Sequence, residues 1–496
     1  MKSNVLLIAA LAITGGIAVW GLVDNAGLAD TARYLVAMQF NSRAWFIMLS
    51  VTFMLVVTIG LAVSRFGRIR LGADDDRPEF STVSWLTMLF AAGMGVGLLY
   101  WGTAEPITHY LVVIEAERPE RASHAALFIT NFHWGLHAWA IYALTGLVIA
   151  YFAFRRGQKM LVSTPLLAVF GDNRASHVIG WLADLLAIVA IAIGLGGSVA
   201  MGVFQVQEGV DALFGLEGSG AGMTLGIFVV LVLAFLLPLT VDLSHGMAVL
   251  SNTAMAIAGF LMIFLLLTGP TSFIMGTTLQ ALGEYLSNVL SHGFRTFTLM
   301  DERANDWFHA WTLTYMVWWL AWAPFVGVFI ARISRGRTIR EFVVGVLLVP
   351  TGFSVLWFGV FGSIGFFGIR GTDQRLLEVV TNNVSETTFF ILDKFPLSTL
   401  TTALVVAAAF LFVVTSVVSA AFVLGMFSTG GDLDPSAKVK LSWGGVLGAL
   451  GLVMILSGDI DSVKSIIALG ALPFVFIVLL LVVCFLKALK SEPRET

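Results

Sequence analysis

One cysteine in 496 residues, Cys484 in the last apolar run, excludes disulfides, cysteine metal sites and a dithiol redox centre. Charge is scarce as well: Asp, Glu, Lys and Arg make up 12% of the chain, against about 25% in soluble domains. The net charge is −3 and no basic tract stands out, so nucleic acid is not an expected partner. Ionisable residues within the apolar runs are scarce: Asp184, early in the fifth, is the clearest, and Glu105 ends the third. No nucleophile–base pair, phosphate loop or metal cluster is legible, which argues against an enzyme. What fills the chain instead is apolar: 58% of it is hydrophobic and 12% aromatic, the composition of a polytopic membrane protein.

Runs long enough to cross about 30 Å of hydrocarbon fall near 4–23, 44–64, 83–103, 125–154, 177–205, 222–241, 248–268, 308–331, 342–367, 398–427, 441–457 and 464–486. The first has no convincing cleavage site and reads as a retained helix, not a signal peptide. Twelve spans with the N-terminus inside leave most of the 28 lysines and arginines on the cytoplasmic side, clustered at Arg65/Arg68/Arg70, Arg155/Arg156/Lys159 and Arg332/Arg335/Arg337/Arg340. The positive-inside rule therefore predicts both termini in the cytoplasm. Between the seventh and eighth spans, 271–307 carries an amphipathic pattern (Leu279, Leu282, Tyr285, Leu286, Val289, Leu290) expected to lie along the membrane surface.

The eighth span, TYMVWWLAWAPFVGVFIARISRGR, places Trp318, Trp322, Phe325 and Phe329 at i, i+4, i+7, i+11, with Trp319 beside them. Indoles at mid-membrane depth do not suit lipid. They suit either an interhelical packing stripe or a wall for an organic cation held by cation–π attraction. In the third span, Gly93, Gly95 and Gly97 fall within five residues and weaken the helix by roughly 1 kcal/mol each. The result is either close helix packing or an unwound segment whose backbone faces a cavity. In the fourth span, Trp134, Trp139 and Tyr142 lie inside one arc of about 140°, flanked by His133 and His137. The tenth span has Thr415, Ser416 and Ser419 on one face. Their hydroxyls either ligate a hard cation or bond back to their own helix. No carboxylate is expected beside the aromatic residues.

Taken together, these stretches resemble the betaine/choline/carnitine transporter (BCCT) family: WWLAWAPFVGVFIARISRGRTIREF in the eighth span, GMGVG and GTAEP in the third, FHWGLHAWAIYALTGLVIAYFAFRRG in the fourth. The resemblance spans essentially the whole chain. It implies an all-α integral membrane fold of 12 transmembrane helices. Two N-terminal helices (1–82) precede two inverted five-helix repeats (83–270 and 308–487), joined by 271–307 and followed by a short tail (488–496), usually in a homotrimer in the cell inner membrane. It implies secondary active import of a betaine-type quaternary ammonium or sulfonium zwitterion by Na+ symport, with no organic cofactor. The ammonium end would sit among Trp134, Trp139, Tyr142, Trp318, Trp319 and Trp322. Phe325 and Phe329 would line the cytoplasmic exit, and the stretch around Met94, Gly95 and Gly97 would face the carboxylate. Sodium would take carbonyls of Ala91, Met94 and Phe412 and hydroxyls of Thr415 and Ser416.

Several positions choose within the family. Gly97 resembles the zwitterion-type members, where choline-type members tend to carry Asp. The fifth span has no Lys or Arg to fill the sodium site as in sodium-independent exchangers. Ile191 and Leu195 stand where the family's second sodium site uses threonines, and Val418 where an acidic residue is common, which implies loss of that second site. Met316 replaces a usual aromatic and is expected to reshape the pocket. The long charged extensions of osmosensing members are missing, so no C-terminal sensor is expected. Proton coupling, or exchange of one quaternary amine for another, is the alternative, resting on His133, His137 and Asp184.

Overall fold

The computed structural model describes residues 3–93, 95–113, 119–216, 218–240, 244–370 and 374–492. Among them the chain is helical throughout, with one isolated β-bridge, Arg70–Thr338. The helices are α1 Ser3–Val23, α2 Asn25–Val63, α3 Thr82–Gly93, α4 Val96–Trp101, α5 Ala104–Val113, α6 Pro119–Trp134 and α7 Leu136–Ala150. There follow α8 Thr164–Phe170, α9 Arg174–Phe214, α10 Ala221–Leu236, α11 Ser244–Thr268, α12 Thr271–His292, α13 Glu302–Phe308 and α14 Thr314–Ile333. The rest are α15 Ile339–Arg370, α16 Gln374–Asn382, α17 Thr387–Leu392, α18 Ser398–Ser428, α19 Ala437–Leu456, α20 Ile460–Ala471 and α21 Phe474–Lys490.

Among the described residues, 10 helices are long and apolar enough to cross a membrane, and α20 with α21 form an eleventh that bends by 42°. The difference from the twelve runs lies in the third. Its three glycines divide the run into α3 and α4, neither long enough alone. The second run also begins earlier than its hydropathy suggests, because Asp24 caps the helix by accepting from the Gly27 N–H. Together these spans make the chain a multi-pass membrane protein.

The core is built from the mid-chain helices. Within the windows that qualify as spans, 94% of residues around α14 and 89% around α6–α7 are buried, against 28% for α1 and 22% for α10 and for α11. The outer helices instead expose apolar side chains such as Ile8, Val23, Leu233 and Leu267, which suits a lipid contact. The most extensive packing joins α7 to α14 and α9 to α18. Helix α12 buries Ile274, Tyr285 and Val289 while leaving Leu279, Leu286 and Leu290 exposed, so its apolar residues serve two faces.

Two of the arginine clusters meet on one side of the molecule. The loops after α2 and α14 exchange backbone hydrogen bonds (Leu71 N–H to Arg337 O and Gly336 N–H to Leu71 O, both 2.8 Å). Arg337 then lies 4.0 Å over the ring of Trp85, whose indole N–H donates to Ser334 Oγ. The C-terminal end closes on the same side: Glu492 accepts from Tyr151 at 2.6 Å and pairs with Arg155 at 3.1 Å and Arg156 at 3.2 Å.

Candidate functional site

Where α14 crosses α7, α9 and the α3–α4 break, aromatic rings enclose a cavity of about 40 Å³. Its walls are Trp318, Trp319, Trp322 and Tyr315 from α14, Trp134 from α6, Trp101 and Gly97 from α4 with Gly95 before it, and Ser198 and Met201 from α9. Among the described residues no charged side chain lines it. Trp134 meets Trp319 edge-on, with centroids 5.1 Å apart, and Tyr315 at 5.7 Å. Tyr315 lies 6.2 Å from Trp318 and 6.3 Å from Trp319.

Backbone breaks set these rings. Gly135 interrupts the fourth apolar run between α6 and α7. At the break the His133 carbonyl accepts the Trp319 indole N–H at 2.7 Å, and the Leu136 N–H turns to Tyr285 Oη, also at 2.7 Å. Any side chain at 135 would strike Tyr285 Oη at 2.2 Å and the Asn131 carbonyl at 2.5 Å. The break also voids the helical-arc argument for the fourth run. Trp134 reaches the cavity, whereas Trp139 and Tyr142 lie outside its lining, Tyr142 packed edge-on against Trp319 at 5.7 Å and Trp139 against Tyr142 at 5.5 Å. Close approaches need two further glycines. A Cβ at Gly97 would lie 3.3 Å from the Trp134 ring, and one at Gly194 of α9 would lie 3.2 Å from Trp322.

A carboxylate does stand behind the box, contrary to the expectation from sequence. Glu105, fully buried at the start of α5, accepts from the Trp134 indole N–H at 2.7 Å and from the Tyr315 hydroxyl at 2.5 Å. Its other oxygen meets His133 Nδ1 at 2.8 Å and His109 Nε2 at 3.3 Å. His133 Nε2 faces Thr312 Oγ1 at 2.9 Å, and His109 Nδ1 accepts from the Trp307 indole at 3.3 Å. One proton on each ring satisfies the whole set. Glu105, His109 and His133 also form a group whose ligand atoms lie within 4.8 Å of one another. The sequence offered no metal cluster because His133 of α6 joins Glu105 and His109, neighbours at i and i+4 on α5, only through the packing of the two helices. Their atoms are engaged with one another and with the box.

The other expected residues are placed as follows. Phe325 packs on Trp322 at 6.0 Å but faces a second cavity of about 500 Å³, shared with Phe329, Thr415, Ser416 and Ser419. Thr415 donates to the Leu411 carbonyl at 2.9 Å within its own helix. Ser416 comes near the third span, with its Oγ 3.9 Å from where a Gly95 Cβ would be. Phe412 is buried. Met94 lies outside the described residues, and of Ala91 only its place in α3 is described. Met316 is fully buried and does not line the cavity. It projects about 160° away from Trp318 around α14, so it has no direct part in shaping the box. His137 Nε2 meets Thr52 at 3.3 Å, and Asp184 accepts from the Ser163 N–H at 2.9 Å. Ile191 and Leu195 are fully buried.

Tyr315, Ser198, Met201 and Trp101 were not anticipated. Tyr315 was within reach of the helical pattern, since 315, 318, 319 and 322 stand at i, i+3, i+4, i+7. Ser198 and Trp322 line the cavity, and among the described residues the Ser198 hydroxyl and the Trp322 indole N–H, both buried, have no hydrogen-bond partner. The N–H edge of Trp322 lies towards Gly194 of α9, so these are unpaired donors beside an otherwise apolar box, of a kind that suits an anionic group.

The family model described as BCCT, betaine/carnitine/choline family transporter, matches residues 5–494. The chain belongs to the BCCT family. Among its BCCT relatives it is 40% identical to the glycine betaine transporter OpuD of Bacillus subtilis, over 98% of this chain and 94% of that protein. It is 37% identical to a glycine betaine transporter of Acinetobacter baylyi (94% and 71% covered). It is 34% identical to an ectoine/hydroxyectoine transporter of Virgibacillus pantothenticus (91% and 89%). The protein is therefore a transporter and not an enzyme.

Proposed function

We propose that the chain imports a betaine-type zwitterion, glycine betaine first and dimethylsulfoniopropionate or carnitine next, as an osmoprotectant by Na+ symport. The supporting observation is the cavity of indole and phenol faces, with no charged side chain among its described lining and with two lining residues, Ser198 and Trp322, whose buried donors are unpartnered. A methylated onium group has no N–H to donate and binds best to ring faces, while its carboxylate takes the free donors and the Gly95–Gly97 backbone. The named relatives carry glycine betaine and ectoine, which are compact zwitterions. A space of about 40 Å³ holds little more than a water molecule, so substrate entry parts the rings.

In this reading the broken third run is the twelfth span, and two five-helix units, 83–270 and 308–487, pack against each other in inverted orientation after the two N-terminal helices. The protein is a homotrimer in the inner membrane with both termini cytoplasmic. The cavity at Phe325 and Phe329 is then the cytoplasmic exit. Na+, a co-substrate, binds between the third and tenth spans at Ser416 and Thr415 with carbonyls of Ala91, Met94 and Phe412. Binding turns Thr415 from its own helix carbonyl and closes the site before the helices rock.

Uptake of labelled glycine betaine into proteoliposomes, with and without an inward sodium gradient, tests the reading. Accumulation that needs Na+ supports symport. Sodium-independent accumulation overturns the coupling, and no uptake at all overturns the substrate. The Glu105–His109–His133 cluster favours a second reading, proton-coupled transport or exchange, in which substrate drives proton uptake whatever the sodium concentration.

A further inference from the structure

Beyond the box, on the far side of Trp101, lies a cation that belongs to the protein. Lys464, in the second turn of α20, is 4% exposed. Its ammonium stands 3.9 Å over the ring of Trp311 and 5.1 Å from that of Trp101. Those two rings meet edge-on at 5.4 Å. Trp101 lines the central cavity, and Trp311 stacks on Tyr315, which lines it as well. The Lys464 ammonium is therefore one ring removed from the place where an onium guest would sit. Its ion pair with Asp461, at 3.3 Å, is to a carboxylate whose side chain is 75% exposed, and such pairs are weak. The positive charge is consequently directed at the rings and is only partly cancelled.

We propose that Lys464 is a tethered cation that makes the box select zwitterions over simple organic cations. The inference rests on the substrate reading above. A guest cation within about 6 Å of the Trp101 centroid lies no more than roughly 11 Å from the Lys464 ammonium. At the effective dielectric of a protein interior, two like charges at that separation repel enough to weaken binding on the order of tenfold. Choline carries that charge uncompensated. A betaine presents its own carboxylate a few ångströms from the onium centre, so attraction and repulsion nearly cancel. The lysine thus costs a cation affinity and leaves a zwitterion almost untouched. Glu105, behind Trp134 and Tyr315, acts in the opposite sense: by the same reasoning it attracts a bare cation and leaves a zwitterion almost untouched, so Lys464 offsets a preference for cations that Glu105 alone would give the box.

The test is competition by choline against labelled glycine betaine uptake in proteoliposomes of the full-length protein, read as the ratio of the choline Ki to the glycine betaine KM. Lys464→Met should lower that ratio on the order of tenfold, with the betaine KM little changed, and Lys464→Arg should restore it. Asp461→Asn removes the partial counter-charge at an exposed position and should raise the ratio. An unchanged ratio in both Lys464→Met and Asp461→Asn, with betaine uptake intact, overturns the inference and makes Lys464 a packing residue. If Lys464→Met does not reach the membrane, the Asp461→Asn ratio alone decides. If the wild-type protein carries no glycine betaine, the substrate reading itself fails, a result distinct from either outcome above.

Discussion

Trp319 joins three parts of the site: its indole donates to the carbonyl freed at the Gly135 break, its ring meets Trp134, and Tyr142 supports it from outside the cavity. Trp319→Ala should reduce glycine betaine affinity by at least about 30-fold, since a desolvated cation–π contact contributes about 2 kcal/mol. Tryptophan fluorescence titration reads the change, and an unchanged affinity would place the onium group elsewhere. Glu105 acts on the same guest without touching it. In Glu105→Gln one oxygen becomes an NH2 that cannot accept, so either Trp134 and Tyr315, which share one oxygen, or His133 and His109, which share the other, lose their acceptor. With hydrogen bonds to charged groups worth about 1.5–3 kcal/mol, binding should weaken roughly tenfold or more while the protein still folds. The aromatic face of α14 was legible because it lies within one helix and follows helical spacing. The role of Glu105 was not, because its partners at 133, 134 and 315 come from two distant stretches of the chain.

At the scale of elements, glycines decide where the aromatic helices bend and how near they pack. The cluster at Gly93–Gly97 was visible in the sequence as a weakened helix, and the structure divides α3 from α4 there. Gly135, a lone glycine in an apolar run, gave no comparable signal, although its break orients Trp134 and Trp319. Gly135→Ala meets Tyr285 and the Asn131 carbonyl at under 3 Å, and overpacking of this kind costs about 1–3 kcal/mol. Both thermal stability and substrate affinity should fall. Gly276→Ala, with nothing within 4 Å, should leave both intact. A second device holds the end of α21. Burial raises the Glu492 carboxyl, but the hydrogen bond from Tyr151 and the charges of Arg155 and Arg156 outweigh it and hold the group below its usual range. Its contribution is present above the unfolded carboxyl value, about 4.3, and is lost as pH falls through the lower folded value. Glu492→Gln at neutral pH should therefore resemble acidification, speeding backbone amide exchange over the last turn of α21, where the wild type should be protected.

Across the whole molecule, hydropathy located the helices but not their interruptions, which is why twelve runs correspond to 10 spans and one bent pair. The family was legible from three contiguous motifs, and the match over residues 5–494 bears that out. Under the proposed Na+ symport one coupled ion is expected, because Ile191 and Leu195 of α9 offer no hydroxyls where the resemblance would put a second sodium. Sodium-dependent uptake should show a Hill coefficient of about 1, since cooperativity is bounded by the number of sites. A value near 2 would require a second site elsewhere. Above all stands the claim that the α14 box holds a methylated onium zwitterion. Its most direct test is fluorescence titration of the purified protein, in sodium, with glycine betaine and its stepwise demethylated analogues down to glycine. The account predicts saturable quenching by glycine betaine, weaker with each methyl removed and absent for glycine. Equal responses to glycine and glycine betaine, or no response to either, would contradict it.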